Sequence, residues 1–364
     1  MLGGAQQIVA DLAACLPALG VGVRVVLLQS GPFAERLRVA GVEVDVLGAG
    51  RLRDPWRYAA TVRRLHRHIR SHQPTAVVAT EAKGHVYLAP AARGAIPVFW
   101  IQAGMPDPPS RIDRLASRLP ATGVIALSTD AAEAQRRIVR RAPVHVMHPG
   151  IDTERFASAS GRAIRSQHGL GADRVLVALV GRLQPWKGQE QFLRAAALLA
   201  SDRRTTFAVV GGAILGWEGD YEERLHRLAG DLRIRDRVIF TGHTDEVPQW
   251  MAASDIVVNA SNPEPFGLVV IEAMAAGCAV VAVSAGGPRD VIEHARNGML
   301  CADASPAQLA GAIGELIAQP ATRQRIGELA RERVAASFTR ERTASRLLEI
   351  LRMSAGGARS GSEV

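Results

Sequence analysis

Residues 255–285 read DIVVNASNPEPFGLVVIEAMAAGCAVVAVSA. Two continuous apolar runs, DIVVNA (255–260) and AVVAVSA (279–285), bracket a proline-containing loop and a segment of helical length. An uninterrupted apolar run marks a strand buried on both faces, and such strands belong to parallel sheets covered by helices. The stretch therefore predicts a strand–loop–helix–strand unit. It also holds two carboxylates: Glu264 between Pro263 and Pro265, and Glu272 within the apolar segment. An ionised carboxylate is costly in apolar surroundings unless it has partners, so each is expected to have a partner or a task.

The same alternation runs outward in both directions. Strands are predicted at 23–28, 42–47, 76–80, 96–101, 123–128 and 143–147, then at 174–181, 206–212, 237–242, 255–260 and 279–285. Strand–helix repetition on this scale is the doubly wound α/β pattern. The strands fall into two sets, parted at the turn-rich stretch His148-Pro149-Gly150-Ile151-Asp152. The expected organisation is a first domain over 1–148, a second over 149–338, and a final segment over 339–364. That segment starts with an amphipathic helix to 353, with Leu347, Leu348 and Leu351 on one side. The small polar tail from Ser354 is expected to be disordered.

Composition narrows the classes. A chain of 364 residues suggests about two domains, and its 48% apolar content supports sizeable cores. Cys15, Cys278 and Cys301 are far apart and form no CxxC, which excludes a disulfide framework or a zinc cluster and fits a cytoplasmic setting. MLGGAQQ at the start has no basic and apolar signal pattern. The most apolar long stretch, 267–283, falls short of the roughly 20 residues of a membrane span. Residues 1–150 hold 19 basic and 10 acidic side chains, a difference of +9 that equals the net charge of the whole chain. That half is expected to meet something anionic. Aromatic residues are only 4%, too few for nucleic-acid stacking platforms, and no nucleic-acid partner is expected.

Two loops carry candidate chemistry. In VALVGRLQPWKGQEQFLRAA (177–196) a strand ends at Gly181, a loop presents Arg182 and Lys187, and a helix follows. Ligands of open α/β sheets bind at such carboxyl ends. The spacing is not a Walker A loop, and no GxGxxG follows a strand. The loop reads as a pyrophosphate clamp or as an ordinary solvated turn. In the second loop, Gly267 and Leu268 would offer backbone N–H groups at a helix start, an anion site. Eight helical residues rise about 12 Å, so Glu264 and Glu272 are not a close acid/base pair. A carboxylate accepts well from two neighbouring sugar hydroxyls. The alternatives are a solvated loop charge for Glu264 and a salt-bridged core carboxylate for Glu272.

The eight-residue spacing of Glu264 and Glu272 resembles the E-x7-E motif of retaining glycosyltransferases of the GT-B class, in particular the large family 4 (group 1). Four further stretches resemble that family in its order: GGAQQIVADLAACLPALGVGVRVV (3–26), MHPGIDTERF (147–156), VGRLQPWKG (180–188) and VSAGGPRDVIEHARNGML (283–300). The resemblance implies two facing Rossmann-like domains with parallel sheets and a last helix crossing back to the first domain. It assigns Glu264, Arg182 and Lys187 to catalysis. Donor binding would fall to Gly181, Arg182, Lys187, Gly212, His243, Glu264, Phe266, Gly267, Leu268 and Glu272. Gly3, Gly4 and Gln102 would lie on the acceptor side. The implied donor is a UDP- or GDP-linked sugar, with no cofactor and no metal. The implied acceptor is a cell-envelope lipid, oligosaccharide or polysaccharide.

This chain departs from the pattern in three places. Only Met1 and Leu2 precede Gly3, where the family has a strand, so either the start is misassigned or the first sheet lacks a central strand. Ala103 stands where the family often has histidine, and Asp290 where glutamate is usual. Separately, RYAATVRRLHRHIRSHQP (57–74) is expected to turn Arg63, Arg64, Arg67 and Arg70 outward, toward solvent, anionic lipid or a phosphorylated acceptor. His66, His68 and His72 there are expected to be solvated rather than metal-bound. These features imply a cytoplasmic transferase, peripheral to the membrane. A catalytically impaired sugar-nucleotide-binding protein of the same fold is the alternative.

Overall fold

The computed structural model describes residues 3–49, 52–94, 96–213 and 219–357. The chain divides into two compact units. One comprises 2–150 together with 340–364; the other is 151–339.

The N-terminal unit runs α1 (Gly4–Cys15), β1 (Arg24–Leu27), α2 (Pro32–Val39), β2 (Glu43–Val46), α3 (Pro55–His72), β3 (Val77–Thr80), α4 (Glu81–Ala92), β4 (Val98–Gln102), α5 (Arg111–Ala116), β5 (Gly123–Ala126), α6 (Thr129–Arg136) and β6 (Val144–Val146). All its strand pairs are parallel, but the sheet is in two pieces, β1-β2 and β3-β4-β5-β6. Among the described residues no ladder joins β1 to β3. The consequence is visible in burial. β4 and β5 are buried throughout, whereas Val25, Val26, Leu27, Val77 and Val78 remain partly exposed.

The C-terminal unit runs α7 (Thr153–Ala157), α8 (Arg162–Gln167), β7 (Val175–Val180), α9 (Gln189–Leu198), β8 (Thr205–Val210), α10 (Tyr221–Asp231), β9 (Val238–Phe240), α11 (Val247–Ala253), β10 (Ile256–Asn259), α12 (Leu268–Ala275), β11 (Ala279–Val283), α13 (Pro288–Val291), β12 (Met299–Cys301), α14 (Pro306–Ala318) and α15 (Pro320–Ser337). Its six parallel strands lie in the order β12-β11-β10-β7-β8-β9. The chain builds one side from β7 to β9, then crosses to β10 and builds the other. The switch point therefore falls between β7 and β10, where the loops after them part and leave room for a ligand. The apolar runs are buried as expected of two-sided strands, with Val177, Leu179, Phe207, Val209, Val258 and Val281 packed against Phe192, Leu193 and Leu225. Burial of each such side chain contributes about 1.5–3 kcal/mol.

Two sequence expectations need correction. β12 was missed, because three residues, Met-Leu-Cys, are too short to show periodicity. The last helix, α16 (Arg340–Gly357), runs beyond the predicted end at 353 and takes in part of the expected disordered tail; residues 358–364 lie outside the described residues. α16 packs on α1 within the N-terminal unit, with Leu347 and Leu348 buried. Thr343 fixes its start: its Oγ1 accepts from the Gly150 N–H (2.6 Å) and donates to the His148 carbonyl (3.2 Å). Among the described residues no helix is long and apolar enough to cross a membrane.

Candidate donor site

The site is built at the carboxyl ends of the C-terminal strands. After β7, Gly181 has φ +156°, and after β8, Gly211 has φ +129°. A Cβ on Gly211 would lie 2.2 Å from the Gly181 carbonyl oxygen, and one on Gly212 would lie 2.7 Å from the His243 nitrogen. Only glycine permits three loop backbones to approach so closely. The Leu183 N–H donates to the Gly212 carbonyl (3.2 Å), and the Gly211 N–H to Thr241 Oγ1 (3.1 Å). Gly181, Gly212 and His243 are thereby brought together from three separate segments. The His243 side chain is mostly exposed, 4.0 Å from Asp245.

The Arg182–Lys187 loop is anchored from beneath. Gln189, fully buried, donates from Nε2 to the Arg182 carbonyl (2.8 Å) and accepts from the Tyr221 hydroxyl (3.3 Å). Sequence reasoning missed both residues; the only signal was a glutamine opening an apolar helix. Arg182 itself is half-buried, and no ion pair of its guanidinium is formed among the described residues. Gly188, at φ +77°, lets the loop lie on β10, since a Cβ there would sit 2.4 Å from the Ala260 carbonyl.

That contact delivers Lys187 to the second loop. Lys187 Nζ lies 2.7 Å from Glu264 Oε2, with the two side chains 17% and 8% exposed. Asn259 Nδ2 donates to the same oxygen at 3.3 Å, and Lys187 Nζ stands 4.0 Å from the centre of the Trp186 ring. The partner of Glu264 is thus a lysine 77 positions earlier in the chain. Asn259 and Trp186 were not singled out from sequence.

The Glu264 backbone is clamped as well. Its N–H donates to the Ala285 carbonyl (3.2 Å), and its carbonyl accepts from the Gly287 N–H (2.9 Å). A Cβ on Gly287 would fall 2.2 Å from Phe266 Cα. Phe266 is buried with its ring 6.0 Å from that of Phe338, so only its backbone is available to a ligand. Gly267 (φ +93°) turns the chain into α12. Among the described residues the N–H groups of Gly267, Leu268 and Val269 meet no protein acceptor. Glu272 lies four residues after Leu268, half-buried, about 6 Å along the helix. Asp290 occupies the first turn of α13.

The remaining candidates lie in the N-terminal unit. Gly3 caps α1 and Gly4 begins it. Gln102, buried at the end of β4, donates from Nε2 to Asp113 Oδ1 (3.1 Å). Arg63, Arg64, Arg67 and Arg70 are exposed on α3. His68 lies 3.5 Å from Asp45 and 4.2 Å, ring to ring, from His72; burial first, then His72, hold it below the usual histidine range. No metal-holding group of His, Cys, Asp or Glu exists among the described residues.

Parallel α/β units with glycine-lined loops at a sheet switch point define a broad class, the Rossmann-like nucleotide-binding folds. Comparison with known proteins places the chain further. Residues 161–333 match the family described as Glycosyl transferases group 1, and residues 2–155 match Glycosyltransferase Family 4. The D-inositol 3-phosphate glycosyltransferase of Frankia alni is 31% identical over 89% of this chain and 88% of its own. The Catenulispora acidiphila relative of that name is 40% identical, over 53% of this chain and 46% of its own. Among solved structures, Anabaena HepE, crystallised with UDP and glucose, is 29% identical with TM-score 0.84 over 96% of both chains. A Rickettsia africae glycosyltransferase shares the fold, with TM-score 0.86 at 18% identity over 97% of this chain and 95% of its own. This chain belongs to the group 1, family 4 glycosyltransferases.

Proposed function

We propose that the chain is a metal-independent, retaining hexosyltransferase that takes its sugar from a nucleotide donor. The observation that carries this reading is the meeting of Lys187, Glu264 and the start of α12 beside the β7–β10 switch point. A diphosphate there would find Arg182, Lys187 and the N–H groups of Gly267 and Leu268 as its counter-charges. Glu264 would hold the donor sugar's hydroxyls and Glu272 those of the ribose. The loop at Gly212 and His243 would border the base. HepE was solved with UDP-glucose at 28% identity, which supports a UDP-linked glucose donor.

The acceptor hydroxyl attacks the anomeric carbon from the face the diphosphate leaves. The carbon–oxygen bond to the diphosphate breaks, its electron pair stays with the phosphate oxygen, and that oxygen takes the acceptor's proton. Cationic side chains then do what a metal ion does elsewhere. The acceptor is a glycan or lipid-linked species of the cell envelope, met at the cytoplasmic face of an anionic membrane. The +9 excess in residues 1–150 supports that choice. A nucleotide-sugar-binding protein without turnover is the second reading; the two-piece N-terminal sheet and Ala103 favour it.

A thermal-shift screen over nucleotide sugars tests the donor, with UDP-glucose expected to stabilise most. Glu272→Ala should abolish that stabilisation, and Lys187→Ala should weaken binding and suppress UDP release with acceptor. Normal turnover in Lys187→Ala would overturn the diphosphate role. Binding without UDP release, over a panel of lipid-linked and soluble acceptors, would favour the second reading.

A further inference from the structure

Gln189, the first residue of α9, and Tyr221, the first of α10, are 0% and 1% exposed. Two buried polar side chains are costly where an apolar pair would fill the same space, so what they hold matters. The orientation of the amide is forced. A carbonyl only accepts, so the Gln189 nitrogen must face the Arg182 carbonyl (2.8 Å), and the amide oxygen is left to accept from the Tyr221 hydroxyl (3.3 Å). Tyr221 is braced in turn. Arg224 Cζ stands 5.1 Å from the centre of its ring, and the Arg224 guanidinium pairs with Glu190 at 3.4 Å. The starts of α9 and α10 are thus stapled by two adjacent contacts.

The other end of the same peptide unit is held as well. The Leu183 N–H donates to the Gly212 carbonyl (3.2 Å). The Arg182–Leu183 peptide is therefore fixed at its C=O by Gln189, backed by Tyr221, and at its N–H by Gly212. Both supports come from the connection between β8 and α10, Gly212 at its start and Tyr221 at its end. A planar peptide held at both polar ends cannot turn about the chain, and this sets the direction in which the Arg182 side chain leaves the backbone. A guanidinium aligned in advance loses less freedom when it meets a phosphate. Lys187 has different supports: Gly188 lying on Ala260, and the carboxylate of Glu264.

We propose that Gln189 and Tyr221 are positioning residues that aim the Arg182 guanidinium at the β-phosphate of the bound nucleotide. Neither side chain touches the ligand; both act through the Arg182 backbone. This role rests on the diphosphate site proposed for the donor, and it gives the two cations of that site independent supports.

Calorimetric titration with UDP and with UMP tests it, because the two ligands differ by the β-phosphate. Wild type should bind UDP more tightly than UMP. Gln189→Leu should weaken UDP about tenfold, the scale of one charge-assisted hydrogen bond, and UMP less than about threefold. Tyr221→Phe leaves the amide in place but unbraced; it should act in the same sense and less strongly, and it carries the test if Gln189→Leu does not fold. Arg182→Ala should lower the UDP preference as Gln189→Leu does, and combining the two should add less than about twofold, because they remove one interaction. Equal weakening of UDP and UMP, or losses that add in full to those of Arg182→Ala, would mark a purely structural role and overturn the proposal. A wild type that binds neither nucleotide would remove the donor reading and this role together. A wild type that prefers UDP, with the same preference in Gln189→Leu and Tyr221→Phe, would remove this role alone.

Discussion

Lys187→Met separates the structural from the chemical role of the site. The wild-type pair lies 2.7 Å apart with side chains 17% and 8% exposed. Removing the ammonium leaves the Glu264 carboxylate buried with Asn259 as its remaining side-chain donor, at 3.3 Å. Breaking a buried pair from one side costs about 3–5 kcal/mol. The surviving Asn259 bond and the residual access of water bring this case to the lower end or just beneath it, about 2–3 kcal/mol. For a unit of this size that is a fall in melting temperature of roughly 5–10 °C. Glu264→Gln in the Lys187→Met background removes the stranded charge, so the double variant should recover most of the loss. It should not recover UDP release, because both the phosphate counter-charge and the sugar-binding carboxylate are gone. Calorimetry of wild type, both single variants and the double variant gives the cycle, and a UDP-release assay runs beside it. A Lys187→Met melting temperature within a degree of wild type would refute the buried-pair argument. Wild-type turnover in the double variant would refute the catalytic one.

Gly188→Ala would place a Cβ 2.4 Å from the Ala260 carbonyl at φ +77°. It should cost at least about 1–2 kcal/mol and lift Lys187 away from Glu264, read as a lower melting temperature with weaker UDP-glucose binding. Burial beside Trp100 pushes the His85 imidazole down to about 4 from its ordinary 6.5. The unfolded chain then binds the proton more readily, so stability is complete above pH 6.5 and is lost as pH falls toward 4, by about 3 kcal/mol in all. Melts between pH 7 and pH 4 should show this decline, and His85→Phe should flatten it. Burial pushes the Cys278 thiol up to about 12 and the Cys301 thiol up to about 11. Neither should be alkylated by iodoacetamide at pH 8 until the chain is unfolded, as mass spectrometry can check.

Much of the C-terminal unit was legible because its signals are local. Val-Leu-Val-Ala-Leu-Val and Ala-Val-Val-Ala-Val are buried on both faces, so the burial is written as unbroken apolarity. Gly181, Gly188 and Gly267 each end a strand or open a helix, where the turn requires them. β12 was not legible, since three residues cannot show a period. Gln189, Asn259 and Trp186 were missed because a polar or aromatic residue near a loop has no distinctive spacing; its meaning comes from what faces it.

Sequence alone determined the parallel α/β class, because periodicity and turn chemistry act over a few residues. Tertiary structure alone decided that Lys187 answers Glu264, that Gln189 holds the Arg182 carbonyl, and that Gln102 rests on Asp113. The reason is the order of strands. β7 and β10 are far apart in the chain but adjacent in the sheet, and this adjacency turns two separate loops into one site.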